Sequence, residues 1–127
     1  MKKRHAAIFA LACAASLASS AHADPRKLTG PEIKQLFADK TAHGMWGPTE
    51  FWSYFGPDGW TVYKSTNGRH QDGRWGANAS QYCSKWATGG ESCYNIYQDG
   101  AAIIWEEPGS GHRYSSELLA GKQVPAD

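Results

Sequence analysis

The chain has 127 residues, of which 41% are hydrophobic and 20% charged, and its formal net charge is +1. This length suits one domain with a single modest core. The near-neutral, interspersed charge provides no basic surface of the kind that nucleic-acid binding needs. We therefore expect a single domain that does not bind nucleic acid.

Residues 1–23 have the three zones of a secretory signal peptide. Basic residues at positions 2–5 precede an apolar stretch over 6–18, and the segment ends in the sequence AHA, the A-x-A form that signal peptidase accepts. The apolar stretch is shorter than the roughly 20 residues of a membrane-spanning helix. We predict cleavage after Ala23, a periplasmic or secreted location, no membrane span, and one β-rich domain over residues 24–127 with its core at about 28–118.

Cys13 offers an alternative to this cleavage. The sequence LAC at residues 11–13 is similar to a degenerate lipoprotein box, in which the cysteine would be acylated and become the N-terminus. The apolar stretch before it would then be only residues 6–12, so cleavage after Ala23 remains the preferred interpretation. That cleavage leaves ten basic and twelve acidic residues, a net charge of −2.

Two cysteines remain in residues 24–127, Cys83 and Cys93. An even number in an oxidising compartment predicts one disulfide, whereas a redox-active pair would favour the Cys-x-x-Cys spacing. If the two cysteines face each other in a hairpin, Lys85 lies opposite Glu91, and this opposite-charge pair supports the register. The disulfide is then expected on the outer face of the sheet. The predicted inner face comprises Tyr82, Trp86, Tyr94 and Ile96.

One short helix is predicted over residues 30–39. Thr29 and Glu32 form a capping box at its start. Apolar residues at the i, i+3 and i+4 positions make one stripe that must pack against another element. This stripe consists of Ile33, Leu36 and Phe37.

The sequence after residue 44 has the rhythm of an antiparallel sheet. Gly, Asn, Asp and Pro recur every 8–12 residues between short runs rich in Trp, Tyr, Val and Ile. We predict a mainly β fold in which the short helix precedes a six- to seven-stranded antiparallel meander, curled into a small barrel or half-barrel. The predicted strands are 50–55, 60–65, 70–76, 80–86, 92–98 and 101–106, with a seventh near 112–118.

Three segments together carry a resemblance to a known family. They are LTGPEI at 28–33, GRW at 73–75, and Cys83 followed by ESCYNIYQDG at 91–100. The chain resembles a family of small exported proteobacterial proteins that is described only as a domain of unknown function. Over residues 28–107 the resemblance implies a helix, a lipocalin-like β-meander with one disulfide and an envelope location, and it implies no catalytic residues. The segment 41–52 is more aromatic than the family pattern, which leaves that rim open to a specific role.

No motif in the sequence predicts catalysis or a cofactor. The Gly-x-Ser-x-Gly nucleophile motif is absent, and the adjacent Glu106 and Glu107 would point to opposite faces of a strand. We therefore expect a protein that is not an enzyme.

Three histidines, His43, His70 and His112, lie in different predicted turns or strand starts. His70 and Asp72 would share one face of a strand and are weak metal-ligand candidates, with His43 or His112 completing the set. The paired spacings of known zinc sites are absent. We therefore assign no metal site.

The aromatic residues are the most informative feature. Most of the six Trp and six Tyr are expected to fill the interior of a small β domain. The segment 51–55 is aromatic on both faces, so one face is either covered by the helix or free to stack on sugar rings or hold an apolar ligand at a barrel mouth. The predicted ligand-binding residues are Trp46, Trp52, Tyr54, Trp60 and Tyr63.

We expect a monomeric, non-catalytic binding module for a small apolar ligand, an envelope glycan or an envelope protein. One alternative is a metal-binding periplasmic protein that uses His43, His70 and His112. Another is a protein-interaction or inhibitor module with an exposed apolar patch near 45–55. An aromatic cavity favours the first function, convergent histidines the second, and an exposed patch the third.

Overall fold

The computed structural model describes residues 24–126, so the predicted signal peptide and the alternative at Cys13 lie outside the described residues. The described chain contains one helix, α1, and nine strands. No helix within this range is long and apolar enough to cross a membrane. The elements are β1 Arg26–Lys27, α1 Gly30–Phe37, β2 Lys40–Trp46, β3 Thr49–Phe55, β4 Trp60–Ser65, β5 His70–Ala77, β6 Tyr82–Trp86, β7 Glu91–Asp99, β8 Ala102–Glu106 and β9 Arg113–Ala120.

Strands β2 to β9 form a closed antiparallel barrel. Each strand pairs with the next along the chain, and β9 pairs back with β2. The short β1 lies outside this ring and pairs with β7 at Tyr97 and Gln98. The predicted mainly β fold, with a short helix before an antiparallel meander, is confirmed.

The barrel has eight strands, one more than the sequence predicted. The additional strand is β2, where His43 and Gly44 gave the appearance of a turn. Gly44 lies instead at a close approach between β2 and β9, because a Cβ atom built there would overlap the carbonyl oxygen of Ser115. The glycine is therefore needed for strand pairing, and its presence hid the strand.

The helix closes one end of the barrel. Its capping box forms as predicted, with the Thr29 hydroxyl accepting from the Glu32 amide and the Glu32 carboxylate accepting from the Thr29 amide. The ring of Phe37 is fully buried, and its centroid lies 4.9 Å from that of Phe55 and 5.4 Å from that of Trp105. Phe37 thus fills this end of the interior from the helix side.

The cysteine hairpin has the predicted register. Cys83 lies opposite Cys93 and is joined to it by a disulfide, and Lys85 lies opposite Glu91. Tyr82 and Ile96 are buried in the core. The alternation of side chains in β6 and β7 therefore places the disulfide on the outside of the barrel.

Replacing Phe37 with alanine is expected to lower the free energy of unfolding by about 3–5 kcal/mol, because it leaves a cavity among aromatic rings. Urea denaturation followed by tryptophan fluorescence measures this loss. Lys34→Ala on the exposed face of the same helix is the control, with an expected change of less than about 0.5 kcal/mol. Equal effects of the two substitutions would show that the helix does not seal the barrel.

Replacing both Cys83 and Cys93 with serine is expected to lower the free energy of unfolding by about 3 kcal/mol, from the added chain entropy of the unfolded state. Equilibrium denaturation of the oxidised wild type and the double variant measures the difference. A reducing agent should destabilise the wild type and leave the variant unchanged. An unchanged midpoint in the double variant would contradict this account.

Candidate functional site

The interior of the barrel is hollow at the end opposite α1. A cavity of about 330 Å³ lies there. Its lining includes Trp46 and Thr49 beside the β2–β3 turn and Asn67 and Arg69 in the β4–β5 turn. Because Trp46, Asn67 and Arg69 are themselves exposed, the cavity opens to solvent between these turns.

The wall of the cavity is largely aromatic. Eight of its lining residues carry rings, and six carry polar side chains with a single formal charge among them, that of Arg69. The aromatic members are Trp46, Phe51, Tyr63, Tyr82, Trp86, Tyr94, Trp105 and Tyr114. The polar members are Thr49, Ser53, Asn67, Arg69, Gln71 and Ser84.

Two inward-facing serines account for much of the open space. Ser53 lies between Phe51 and Phe55 on the inner face of β3, and Ser84 lies between Tyr82 and Trp86 on that of β6. Both serines are buried, and both line the cavity. A small side chain between two large ones leaves volume that no neighbouring ring fills. This small-between-large spacing is a sequence signal that would have indicated the cavity.

Three hydroxyl groups inside the cavity, those of Ser53, Tyr94 and Tyr114, have no hydrogen-bond partner among the described residues, and the Thr49 hydroxyl at the mouth has none either. None of the fully buried side-chain polar atoms in this part of the chain lacks a partner. The three hydroxyls must therefore reach the open space of the cavity. Burial is the main cause that raises the pKa of Tyr94 and of Tyr114, so both remain protonated donors at ordinary pH.

The predicted ligand-binding residues divide between the two sides of the barrel wall. Trp46 and Tyr63 line the cavity. Trp46 stands at the mouth, where its ring centroid lies 4.3 Å from that of Tyr114 and 5.4 Å from that of His112. Sequence reasoning missed Arg69 and Tyr114, and it treated Tyr94 and Trp86 only as core residues.

The other three predicted residues, Trp52, Tyr54 and Trp60, are not part of the cavity wall. Trp52 and Tyr54 alternate with the inward residues of β3. The ring of Trp52 stacks on His43, and the Tyr54 hydroxyl donates to Asp39 at 2.8 Å. Trp60 is half-exposed and lies under the guanidinium of Arg74. These three residues make packing and polar contacts on the outer surface, and their assignment as ligand-binding residues stays a prediction.

The three histidines lie apart from one another. His43 is on β2, His70 is on β5, and His112 precedes β9 beside Trp46. Among the described residues, the one close group of metal-type donors is the disulfide pair with Glu91, and its sulfur atoms are already bonded to each other. No group of three such donors among the described residues therefore contains His43, His70, Asp72 or His112.

The acidic pair at the end of β8, Glu106 and Glu107, lies outside the cavity. Glu106 faces outward, where hydrogen bonds from Asn95 and Arg113 lower the pKa of its carboxyl group. The Glu107 carboxylate accepts from the Ser110 hydroxyl in the next turn. Neither carboxylate lines the cavity.

His43 bridges two carboxylates on the outer face. Its Nδ1 atom lies 2.9 Å from Glu117 and its Nε2 atom 2.7 Å from Glu50, and these contacts raise the pKa of the imidazole, that with Glu117 most. A raised pKa in the folded state means that the ion pair contributes its full stabilisation below the unfolded pKa of about 6.5. This contribution is lost as the pH rises through the folded pKa.

The free energy of unfolding of the wild type should therefore fall as the pH rises from about 6.5 through the raised folded-state pKa of His43, and this His43-dependent part should be absent in His43→Gln. Urea denaturation at several pH values measures it. Glu117→Gln should reduce the pH-dependent part without abolishing it, because Glu50 still contacts the ring. Identical pH profiles for wild type and His43→Gln would rule out this contribution.

No protein-family model, curated protein or solved structure matches this chain. The resemblance to the exported family of unknown function stays a prediction. The function of the cavity must accordingly be argued from its geometry.

Proposed function

We propose that this protein binds a small, largely apolar molecule in the barrel cavity and does not transform it. The observation that carries this proposal is an aromatic cavity of about 330 Å³ that is sealed by α1 at one end and open at the other. Closed eight-stranded barrels have interiors wide enough to hold one small ligand when side chains do not fill them.

The composition of the wall supports binding of an apolar body with a few polar contacts. Small-molecule sites are concave, mostly apolar and supplied with a small number of polar groups that orient the ligand. The aromatic rings make this wall mostly apolar. The free hydroxyls of Ser53, Tyr94 and Tyr114 are the polar groups that would orient a ligand.

The same lining supports binding without catalysis. The described residues that line the cavity include no His, Cys, Asp or Glu. A hydroxyl nucleophile needs an adjacent base to activate it, and this wall offers none. The alternative of a metal-binding protein loses support because the histidines lie on separate parts of the barrel.

The proposal includes a periplasmic or secreted location and a monomeric protein. The N-terminal sequence 1–23 and the disulfide between Cys83 and Cys93 support export to an oxidising compartment.

The uncharged dye N-phenyl-1-naphthylamine, whose fluorescence rises in apolar surroundings, tests the cavity directly. We expect saturable binding to the wild type. Ser53→Leu should weaken it at least about tenfold, because the larger side chain fills the hollow. Ser115→Leu is the matched control, since Ser115 pairs with Ile104 on the outer side of β9 and should leave binding unchanged.

Thr49→Trp provides a second test that does not disturb the packed interior. Thr49 lies at the mouth, and a larger side chain there should slow dye entry or prevent it. Dye binding that is the same in Ser53→Leu, Thr49→Trp and the wild type would reject the cavity as the binding site. Native mass spectrometry of the protein isolated from its own host would then identify any bound molecule by its added mass.

A further inference from the structure

Among the described residues, Arg69 is the one arginine whose guanidinium makes neither an ion pair nor a contact with an aromatic ring. Each of the other three arginines between residues 24 and 126 is engaged: Arg26 with Glu32, Arg113 with Glu106, and Arg74 with the ring of Trp60. No carboxylate or ring among the described residues pairs with the Arg69 guanidinium.

The backbone around Arg69 holds it at the mouth of the cavity. The Arg69 amide donates to the Asn67 side chain, and its carbonyl accepts from the Ser65 amide. These bonds fix the conformation of the β4–β5 turn, which contains Arg69. Arg69 lines the cavity and acts electrostatically on the hydroxyl of Tyr63, which lies in the same wall. The positive charge is therefore presented to the entrance of the cavity.

Glu107, in the turn between β8 and β9, provides a negative charge on the other side of the barrel from Arg69. Glu107 lies outside the lining but acts electrostatically on the hydroxyls of Tyr94 and Tyr114. An anionic group on a ligand would therefore be attracted toward the Arg69 side and repelled from the Glu107 side. This asymmetry gives the mouth a preferred orientation for a ligand with one charged end.

The volume of the cavity and its flat aromatic walls favour a compact ring system over a long flexible chain. Its volume of about 330 Å³ lies near the lower end of the range of small-molecule sites, which begins at roughly 300 Å³. Phe51 and Tyr63 are parallel to within 13° with their centroids 6.0 Å apart, and Trp105 and Tyr114 are parallel to within 5° at the same separation. Flat walls of this kind suit the face and edge of an aromatic ring.

We propose, on the basis of the binding function above, that the cavity selects compact aromatic acids: the ring enters among the aromatic walls and the carboxylate is held at the mouth by Arg69. A guanidinium and a carboxylate form a charge-assisted, often bidentate, hydrogen-bonded pair. The hydroxyls of Tyr94 and Tyr114 belong to the same cavity wall and donate to the bound ligand. Arg69 is thus the residue that determines specificity.

Three probes with the same ring and different charge test this proposal: 2-naphthylacetate, 2-naphthylacetamide and 2-(2-naphthyl)ethylamine. Isothermal titration calorimetry with the protein produced from the full coding sequence should show the acetate binding about tenfold tighter than the amide at low ionic strength. The amine should bind weakest. Because Arg69 is exposed, raising the salt concentration should reduce the preference for the acid.

Arg69→Gln removes the charge and keeps much of the side-chain length, so it should make the acetate and the amide bind about equally. Arg74→Gln is the matched control, because it removes the same charge from the outer surface beside Trp60. It should leave the roughly tenfold preference intact. Glu107→Gln should strengthen acetate binding relative to the amide.

The outcomes separate this inference from the function on which it rests. Equal binding of acetate and amide by the wild type would overturn the selection of acids while leaving the cavity as a binding site. If Arg74→Gln loses the preference for the acetate as Arg69→Gln does, the preference depends on the net charge of the protein. That result would also overturn the role of Arg69. If none of the three probes binds, the selection of aromatic acids fails, and the uncharged dye decides separately whether the cavity binds at all.

Discussion

The ladder between β2 and β9 is what turns the meander of this chain into a barrel. It joins the first and last strands of the ring over the pairs from Lys40 with Ala120 to Gly44 with Ser116. The backbones approach so closely at Gly44 that no side chain fits there. Once this ladder forms, the ring of β2 to β9 has no open edge, and side chains along every strand alternate between an inside and an outside. What the inward positions contain then determines whether the barrel is filled or hollow.

The two ends of the barrel use their inward positions differently. At the end that α1 closes, Phe37, Phe55 and Trp105 pack ring against ring, and such contacts stabilise a core beyond their buried area. At the other end, Ser53 and Ser84 replace large side chains and leave open space. A small domain needs most of its interior for stability. The dense aromatic packing on the helix side therefore allows the other side to remain hollow, which fits the usual compromise between stability and a functional site.

Most of the fold could be predicted from local patterns in the sequence, and the site only in part. The capping box at Thr29 and the opposed charges of Lys85 and Glu91 are short-range signals, and both led to the observed structure. Strand β2 was missed because the sequence alone does not distinguish Gly44, which the pairing of β2 with β9 requires, from a glycine in a turn. For residues 51–55, aromatic on both faces, only closure of the barrel decides which face is inside. The same closure brings Arg69, a turn residue, over the mouth beside Tyr63, which no local pattern shows.

The aromatic residues on the outside of the barrel differ from those inside it in the partners of their polar groups. On the outer surface Trp52, Tyr54 and Trp60 each have a polar or charged partner, namely His43, Asp39 and Arg74. Rings of this kind cover charged side chains and complete contacts within the protein itself. Inside, the hydroxyls of Tyr94 and Tyr114 lack partners in the described chain, although folded proteins satisfy nearly all of their enclosed polar groups. The unused hydrogen-bonding capacity of this barrel that faces open space thus lies in the cavity behind Arg69, where we propose that the ligand binds.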